Sequence, residues 1–155
     1  MAFKVFISYS TKDFPMVEHV RRLLQSSEVE IFITEYSVNP GTQLAVIIEN
    51  AIRNSDLFIL LWSRNSEASE WVPMEIGIAR GNNKTIIPVV LEDGLELPGF
   101  IKDLKYLPAY RNPEESLIWL QNHIFLKAEK QQRTQALVKL CLAGVLIWLL
   151  SQSKS

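Results

Sequence analysis

Trp71 and Glu75, four residues apart in Ser69-Glu70-Trp71-Val72-Pro73-Met74-Glu75-Ile76-Gly77, are the two side chains of this sequence whose types and spacing best suit chemistry. On a helix, an i, i+4 spacing stacks the indole and the carboxylate on one face. The pair follows a strongly apolar run, Leu57-Phe58-Ile59-Leu60-Leu61-Trp62, and a short polar loop. In an open α/β sheet, ligands bind in the crevice beyond the carboxyl ends of the strands. A helix entered from a central strand delivers Glu75 near that rim, where a ligand would meet a negative charge beside an aromatic ring. The same spacing also suits a plainer arrangement, with Trp71 packed in the core and Glu75 a solvated carboxylate favoured by the helix dipole. Spacing alone leaves both open. No His or Cys constellation competes: His19 and His123 each fall on an amphipathic helix and are assigned no function, and Cys141 is the only cysteine.

The elements that must position this pair alternate in type. Lys4 to Ser8 reads as a short apolar strand, as strands buried on both faces do. Phe14, Val17, Val20, Leu23 and Leu24 recur at helical spacing, predicting an amphipathic helix from Phe14 to about Gln25 with Asp13 as its N-cap. Glu30 to Thr34 is a second strand, leading into a loop over Glu35 to Gly41 that closes on a Pro-Gly turn signal. Leu44, Ile47, Ile48, Ala51 and Ile52 mark the next helix. Leu57 to Trp62, the most apolar strand, is expected to be central. Glu70 to Arg80 is a helix whose Pro73 falls in the first turn, where backbone donors still lack partners, and Gly81-Asn82 supplies a left-handed cap. Thr85 to Leu91 is a fourth strand in which Pro88 suggests an end or a bulge. Glu92 to Lys105 is mostly loop with one helical turn, and Lys105 to Leu107 a short edge strand. Asn112-Pro113-Glu114-Glu115 opens another helix, with a capping Asn, proline at the first position and a Glu three residues after the cap. Strands alternating with helices predict a parallel α/β sheet with right-handed crossovers and helices on both faces. The order of the strands is not legible in the pattern.

Composition narrows the function classes. A chain of 155 residues with 48% hydrophobic and 21% charged residues suits one domain with a sizeable core and a modest appendage. A formal charge of -1 and no basic stripe exclude a nucleic-acid footprint. A single cysteine excludes an intramolecular disulfide or a zinc cluster and points to a reducing compartment. Met1-Ala2-Phe3 runs into the first strand pattern without the charged region and cleavage site of a secretory leader.

The first ~110 positions resemble a Toll/interleukin-1 receptor (TIR) domain, particularly the prokaryotic NAD-cleaving type. The resemblance is carried by Val5-Phe6-Ile7-Ser8-Tyr9-Ser10 with Lys12-Asp13, by Ile31-Phe32-Ile33 leading to Pro40-Gly41, by Ala51-Ile52-Arg53-Asn54-Ser55-Asp56, and by Ser69-Glu70-Trp71 with Glu75. It implies a flavodoxin-like, five-stranded parallel sheet. Members of the family either act as scaffolds that recruit other TIR domains or cleave NAD at the nicotinamide–ribose bond, leaving ADP-ribose or a cyclic isomer. In the cleaving class the catalytic glutamate stands four residues after a tryptophan, which implies Glu75 as the catalytic residue here. The resemblance further implies substrate contacts at Tyr9, Ser10, Thr11, Thr34, Pro40, Gly41 and Trp71, with NAD as substrate and no metal or separate cofactor. Some NAD-cleaving relatives carry arginines where this chain has Ser10 and Thr11, and relatives often carry an aspartate at Thr34. Activity on TIR–TIR self-assembly, in prokaryotic defence, is the implied setting. A non-catalytic TIR adaptor is the main alternative, and a flavodoxin-like nucleotide- or phosphate-binding receiver a third, against which stands the lack of an acidic cluster at the strand ends to hold magnesium.

The carboxyl-terminal third divides again. After a TIR region over 1–128, a polar connector over 129–135 precedes an apolar helix over 136–150 whose only charge is Lys139. Apolar on every face, it is not an amphipathic surface helix. It is expected to be either a membrane anchor or the core of an oligomer. Its ~15 residues span about 22 Å, short of a hydrocarbon core of about 30 Å. Lys127, Lys130 and Arg133 precede it, the positive-inside placement for a cytoplasmic domain.

Overall fold

The computed structural model describes residues 2–34, 41 and 43–154. Its elements are β1 (Phe3–Ser8), α1 (Phe14–Leu24), β2 (Val29–Ile33), α2 (Leu44–Arg53), β3 (Leu57–Trp62), α3 (Arg64–Glu67), α4 (Trp71–Gly81), β4 (Ile86–Val90), β5 (Leu107–Pro108) and α5 (Pro113–Ser153). The five strands form one parallel sheet in the order β2-β1-β3-β4-β5, the flavodoxin-like arrangement. β3 is central, as its apolarity predicted, and every one of its residues is buried.

Strand pleating sends alternate side chains to opposite faces, and each face has its own helices and its own core. Val5, Ile7, Ile59 and Leu61 pack with Val17, Val20 and Leu24 of α1 and with Leu120 and Ile124 of α5. Phe6, Phe58, Leu60 and Trp62 pack with Ile48 and Ile52 of α2 and with Val72, Ile76 and Ala79 of α4. On that second face Phe6 stacks between Phe32 and Phe58, each ring centroid 5.4 Å away.

Three local expectations are corrected. Pro88 neither ends nor bulges β4, for it stands in unbroken register opposite Leu60. Leu91 N donates to Trp62 O and Tyr110 N to Val90 O, so odd-numbered β4 residues turn toward β3 and even-numbered ones toward β5. The ring nitrogen of Pro88 therefore faces away from β3, beside a β5 that begins pairing only at Val89, and no ladder bond is lost. The loop after β3 holds the short helix α3, closed by a capping box in which Ser63 Oγ accepts from Ser66 N at 3.1 Å. The left-handed residue after α4 is Asn83, at φ 54°, not Gly81 or Asn82. Asp13 and Asn112 do stand at the N-cap positions of α1 and α5, as expected, though neither makes a side-chain capping bond. Asn112 contributes its carbonyl, which accepts from Ser116 N at 3.0 Å.

α5 is one continuous helix. Both the polar stretch 129–135 and the apolar stretch 136–150 lie within it, and all residues from Ala136 to Lys154 are exposed.

Candidate active site

The phase of α4 decides where Glu75 goes. Ser69 Oγ accepts from Trp71 N at 3.2 Å and from Val72 N at 3.4 Å, fixing the first turn. From that start the buried stripe is Val72, Glu75, Ile76 and Ala79, the 3.6-residue period of a helix face laid on a sheet. Glu75 occupies an apolar slot in that stripe and is 0% exposed. The solvated-carboxylate arrangement does not occur. Trp71, one turn earlier, is half-buried and packs at the margin of the α2/α4 core.

A carboxylate taken out of water is costly unless it is hydrogen-bonded. Ser8 supplies a bond: its Oγ donates to Glu75 Oε2 at 2.5 Å, and both groups are buried. Ser8 ends β1 on the same face as Phe6. Thr34 follows β2 one residue beyond the Ile7–Ile33 pair, so the continued register sets it opposite Ser8, on the face of Phe32. Thr34 is 2% exposed, and its Oγ1 is buried with no hydrogen-bond partner among the described residues. Leaving a buried hydroxyl unsatisfied costs roughly 1–3 kcal/mol, so its retention calls for a reason. Glu75, Ser8, Thr34 and Trp71 thus share one face at the carboxyl ends of β1 and β2. They combine a carboxyl group, two hydroxyls and a half-buried indole, a set suited to a hydroxyl-bearing ligand that carries or develops positive charge.

The other expected residues are distributed differently. Tyr9 is buried on the opposite, α1/α5 face, and its hydroxyl donates to Thr34 O at 2.9 Å, holding the end of β2 against β1. Ser10 is buried and its Oγ accepts from Lys12 N at 3.3 Å, while Thr11 is exposed at the rim. Gly41 is exposed at φ 88°, a conformation that L side chains rarely adopt. Pro40 lies outside the described residues. His123 stacks on Trp119 at 4.7 Å, at the start of β1 and β3 and away from this site. Burial, then Lys127, lower its pKa.

Two contributors went unnoticed in the sequence. Ser8 is the polar residue that ends an otherwise apolar strand, in phase with Phe6, and that phase was the available signal. Asp13 bridges the loops after β1 and β3, accepting from Ser63 Oγ at 2.5 Å and Asn65 Nδ2 at 2.9 Å. This bridge crosses the β1/β3 switch point, where open α/β sheets usually bind ligands. Its partners lie 50 and 52 positions away in the chain, and nothing local marks them.

Comparison with known proteins gives three findings. The family model described as TIR domain matches residues 5–120. Among solved structures, the chain is similar to the TIR domain of a Toll-related receptor from Hydra magnipapillata, with 22% identity, TM-score 0.61, and 81% of this chain and 97% of that one covered. It is also similar to a 2-desoxiribosyltransferase from Leishmania mexicana, with 15% identity, TM-score 0.55 and coverage of 77% and 97%. A third likeness is to a CMP N-glycosidase from Clostridium botulinum, with 20% identity, TM-score 0.52 and coverage of 67% and 87%. At these identities the structural likenesses establish the fold. Comparison with curated protein sequences gives no significant match.

Proposed function

Because the matched stretch covers well over half of its length, this chain belongs to the TIR domain family, and we propose that it is an NAD glycohydrolase. On this reading it cleaves the nicotinamide–ribose bond to release nicotinamide, leaving ADP-ribose or a cyclic isomer. The observation that carries the proposal is the burial of Glu75 at the sheet rim, hydrogen-bonded to Ser8, beside a Thr34 hydroxyl that has no partner among the described residues. On the adaptor reading the same buried pair would serve only to hold α4 against β1. The fold is also one on which a CMP N-glycosidase and a 2-desoxiribosyltransferase are built.

The chemistry asks little of the protein beyond charge and position. As the C–N bond breaks, its electron pair passes to the pyridinium nitrogen and nicotinamide leaves neutral. The ribose takes on oxocarbenium character. Glu75, held in a low-dielectric slot, stabilises that charge and accepts from ribose hydroxyls. Ser8 fixes the carboxylate's orientation, Thr34 offers its hydroxyl to the sugar, and Trp71 presents a surface for base stacking. Water then bonds to the anomeric carbon and gives up a proton, or an adenine ring nitrogen takes its place in the cyclising variant.

Incubating the purified chain with NAD and resolving the products by chromatography tests the reading. Nicotinamide and an ADP-ribose species should appear in equal amounts. Intact NAD after incubation with demonstrably assembled protein would leave the adaptor as the function.

Two substitutions probe the parts. Ser8→Ala removes a bond to a charged acceptor, of the class worth about 1.5–3 kcal/mol, and is expected to lower NAD cleavage at least about tenfold with circular dichroism unchanged. Ser8→Cys, which keeps the volume and a weak donor, should recover part of the loss; equal activity in Ser8→Ala and wild type would remove Ser8 from the mechanism. Gly41→Val forces a β-branched residue into φ 88°, although no atom of the described residues crowds the position. If the loop at Gly41 of one protomer completes a neighbour's site, assembly and cleavage should fall together in this variant. A strictly monomeric, fully active Gly41→Val protein would contradict that coupling.

The membrane reading of α5 belongs to the same proposal. The helix carries on to Ser153, so the stretch from Thr134 to Ser153 is about 30 Å long, matching a hydrocarbon core where residues 136–150 alone fall short. Lys139 is its only charge. Its terminal hydroxyls are satisfied by the helix itself: Thr134 Oγ1 donates to Lys130 O, Ser151 Oγ to Trp148 O and Ser153 Oγ to Leu150 O. On this reading the TIR domain is cytoplasmic, self-associates through TIR–TIR contacts, and works at a membrane.

A further inference from the structure

Resting on the membrane reading of α5, we infer that this helix stands the domain upright on an anionic bilayer. The edge of the sheet where the strands begin then meets the lipid, and the Glu75 site lies on the opposite edge, facing away. The inference starts from where α5 leaves the fold. The helix begins at the carboxyl-terminal rim, just after β5, and runs back along the sheet with Leu120, Ile124 and Ala128 buried. Gln121 Nε2 donates to Leu23 O near the end of α1 at 2.7 Å. His123 and Lys127 line a pocket with Phe3, Leu57 and Thr85, where β1, β3 and β4 begin. Gln131 Nε2 donates to Ala2 O, just before β1, at 3.3 Å. The apolar stretch follows immediately, with no break in the helix, so no loose connector lets the domain tumble.

Charge favours the same orientation. α1, α2 and α4 all end on the edge from which α5 departs, and their last turns carry Arg21 and Arg22, Arg53, and Arg80. Arg21 pairs with Glu18 and Arg53 with Glu49. Arg22, Arg80, Lys127 and Lys130 make no ion pair among the described residues. Glu28, Glu30, Asp56 and Glu129 share this edge, but they are outnumbered by its cations, which include Lys4 and Lys84 as well, and Glu129 pairs with Arg133. The opposite rim, where helices start and loops follow the strands, carries Glu67, Glu70, Glu92, Asp93, Glu114 and Glu115, beside Lys12, Arg64 and Arg111. The domain is therefore polarised end to end, and anionic headgroups draw in the basic edge.

The run of α5 from Pro113 to Arg133 sets the rim about 30 Å from the start of the apolar stretch. Every copy in one leaflet then shares one polarity. Neighbouring domains meet side by side, with their sites open to the aqueous phase, where a charged dinucleotide is available.

Site-directed fluorescence on the full chain tests this. In a Cys141→Ala background, a thiol-reactive fluorophore is placed at Ser27→Cys, in the exposed turn after α1, or at Glu67→Cys, exposed on α3. Each protein is reconstituted into phosphatidylcholine–phosphatidylserine vesicles containing a headgroup nitroxide, which quenches at close range. The label at position 27 is expected to be quenched several-fold more strongly than the label at 67. Equal or reversed quenching in vesicle-bound protein overturns the orientation and leaves the anchor standing. Protein that fails to float with the vesicles and forms discrete soluble particles overturns the anchor, and the orientation with it. Neither readout depends on NAD cleavage, so a failure here is distinct from a failure of the enzymatic reading.

Discussion

Glu75→Gln is expected to abolish NAD cleavage, by at least about a hundredfold, while the domain stays folded. The substitution keeps the volume and the ability to accept a bond from Ser8, so the buried stripe Val72, Glu75, Ile76, Ala79 remains packed. What it removes is the charge. A neutral amide cannot balance an oxocarbenium ion, and this loss is confined to the transition state. Glu70→Gln is the matched control, since Glu70 is exposed and lies around the helix from the Trp71/Glu75 face. Single-turnover measurement of nicotinamide release by assembled protein decides the matter. Wild-type rates in Glu75→Gln would sink the assignment of Glu75, whatever the chain's other activities.

Ending the chain at Gln135 should release it from membranes completely. The full-length protein is expected to sediment with membranes and to resist carbonate extraction, because a stretch of about 20 residues exposes apolar side chains on every face. The shortened protein retains every buried residue of α5, Ser116, Leu120, Ile124 and Ala128, and so keeps both cores. It should be soluble, monomeric at low concentration, and weakly active until crowded. Confinement to a surface raises effective concentration, which favours assembly without any new contact. Defined, detergent-free oligomers of the full-length chain would show instead that copies of the apolar helix cover one another.

Much of the fold was legible because its signals are local. The apolar runs Val5–Ile7 in β1 and Leu57–Trp62 in β3 declare strands buried on both faces, and helical periodicity over α1 and α2 declares the layers that cover them. The i, i+4 spacing of Trp71 and Glu75 places both on one side of α4 before any packing is known. The all-round apolarity of residues 136–150 is likewise a property of composition alone.

What the sequence by itself determined, then, was the kind and succession of elements, the family resemblance, and Glu75 as the residue to watch. Tertiary structure decided whether that carboxylate faced water or the core. An i, i+4 pair has a direction only relative to the sheet the helix lies on, and the cap at Ser69 and the stripe of α4 turned it inward. Tertiary structure also supplied its neighbours. Ser8 lies 67 positions away, and Thr34 reaches the site only because β2 pairs with β1 in one register. The Asp13 bridge to Ser63 and Asn65 joins loops that strand order alone makes adjacent. Strand order is a competition among non-local pairings whose outcome no short window of sequence contains, and the site is assembled across those pairings.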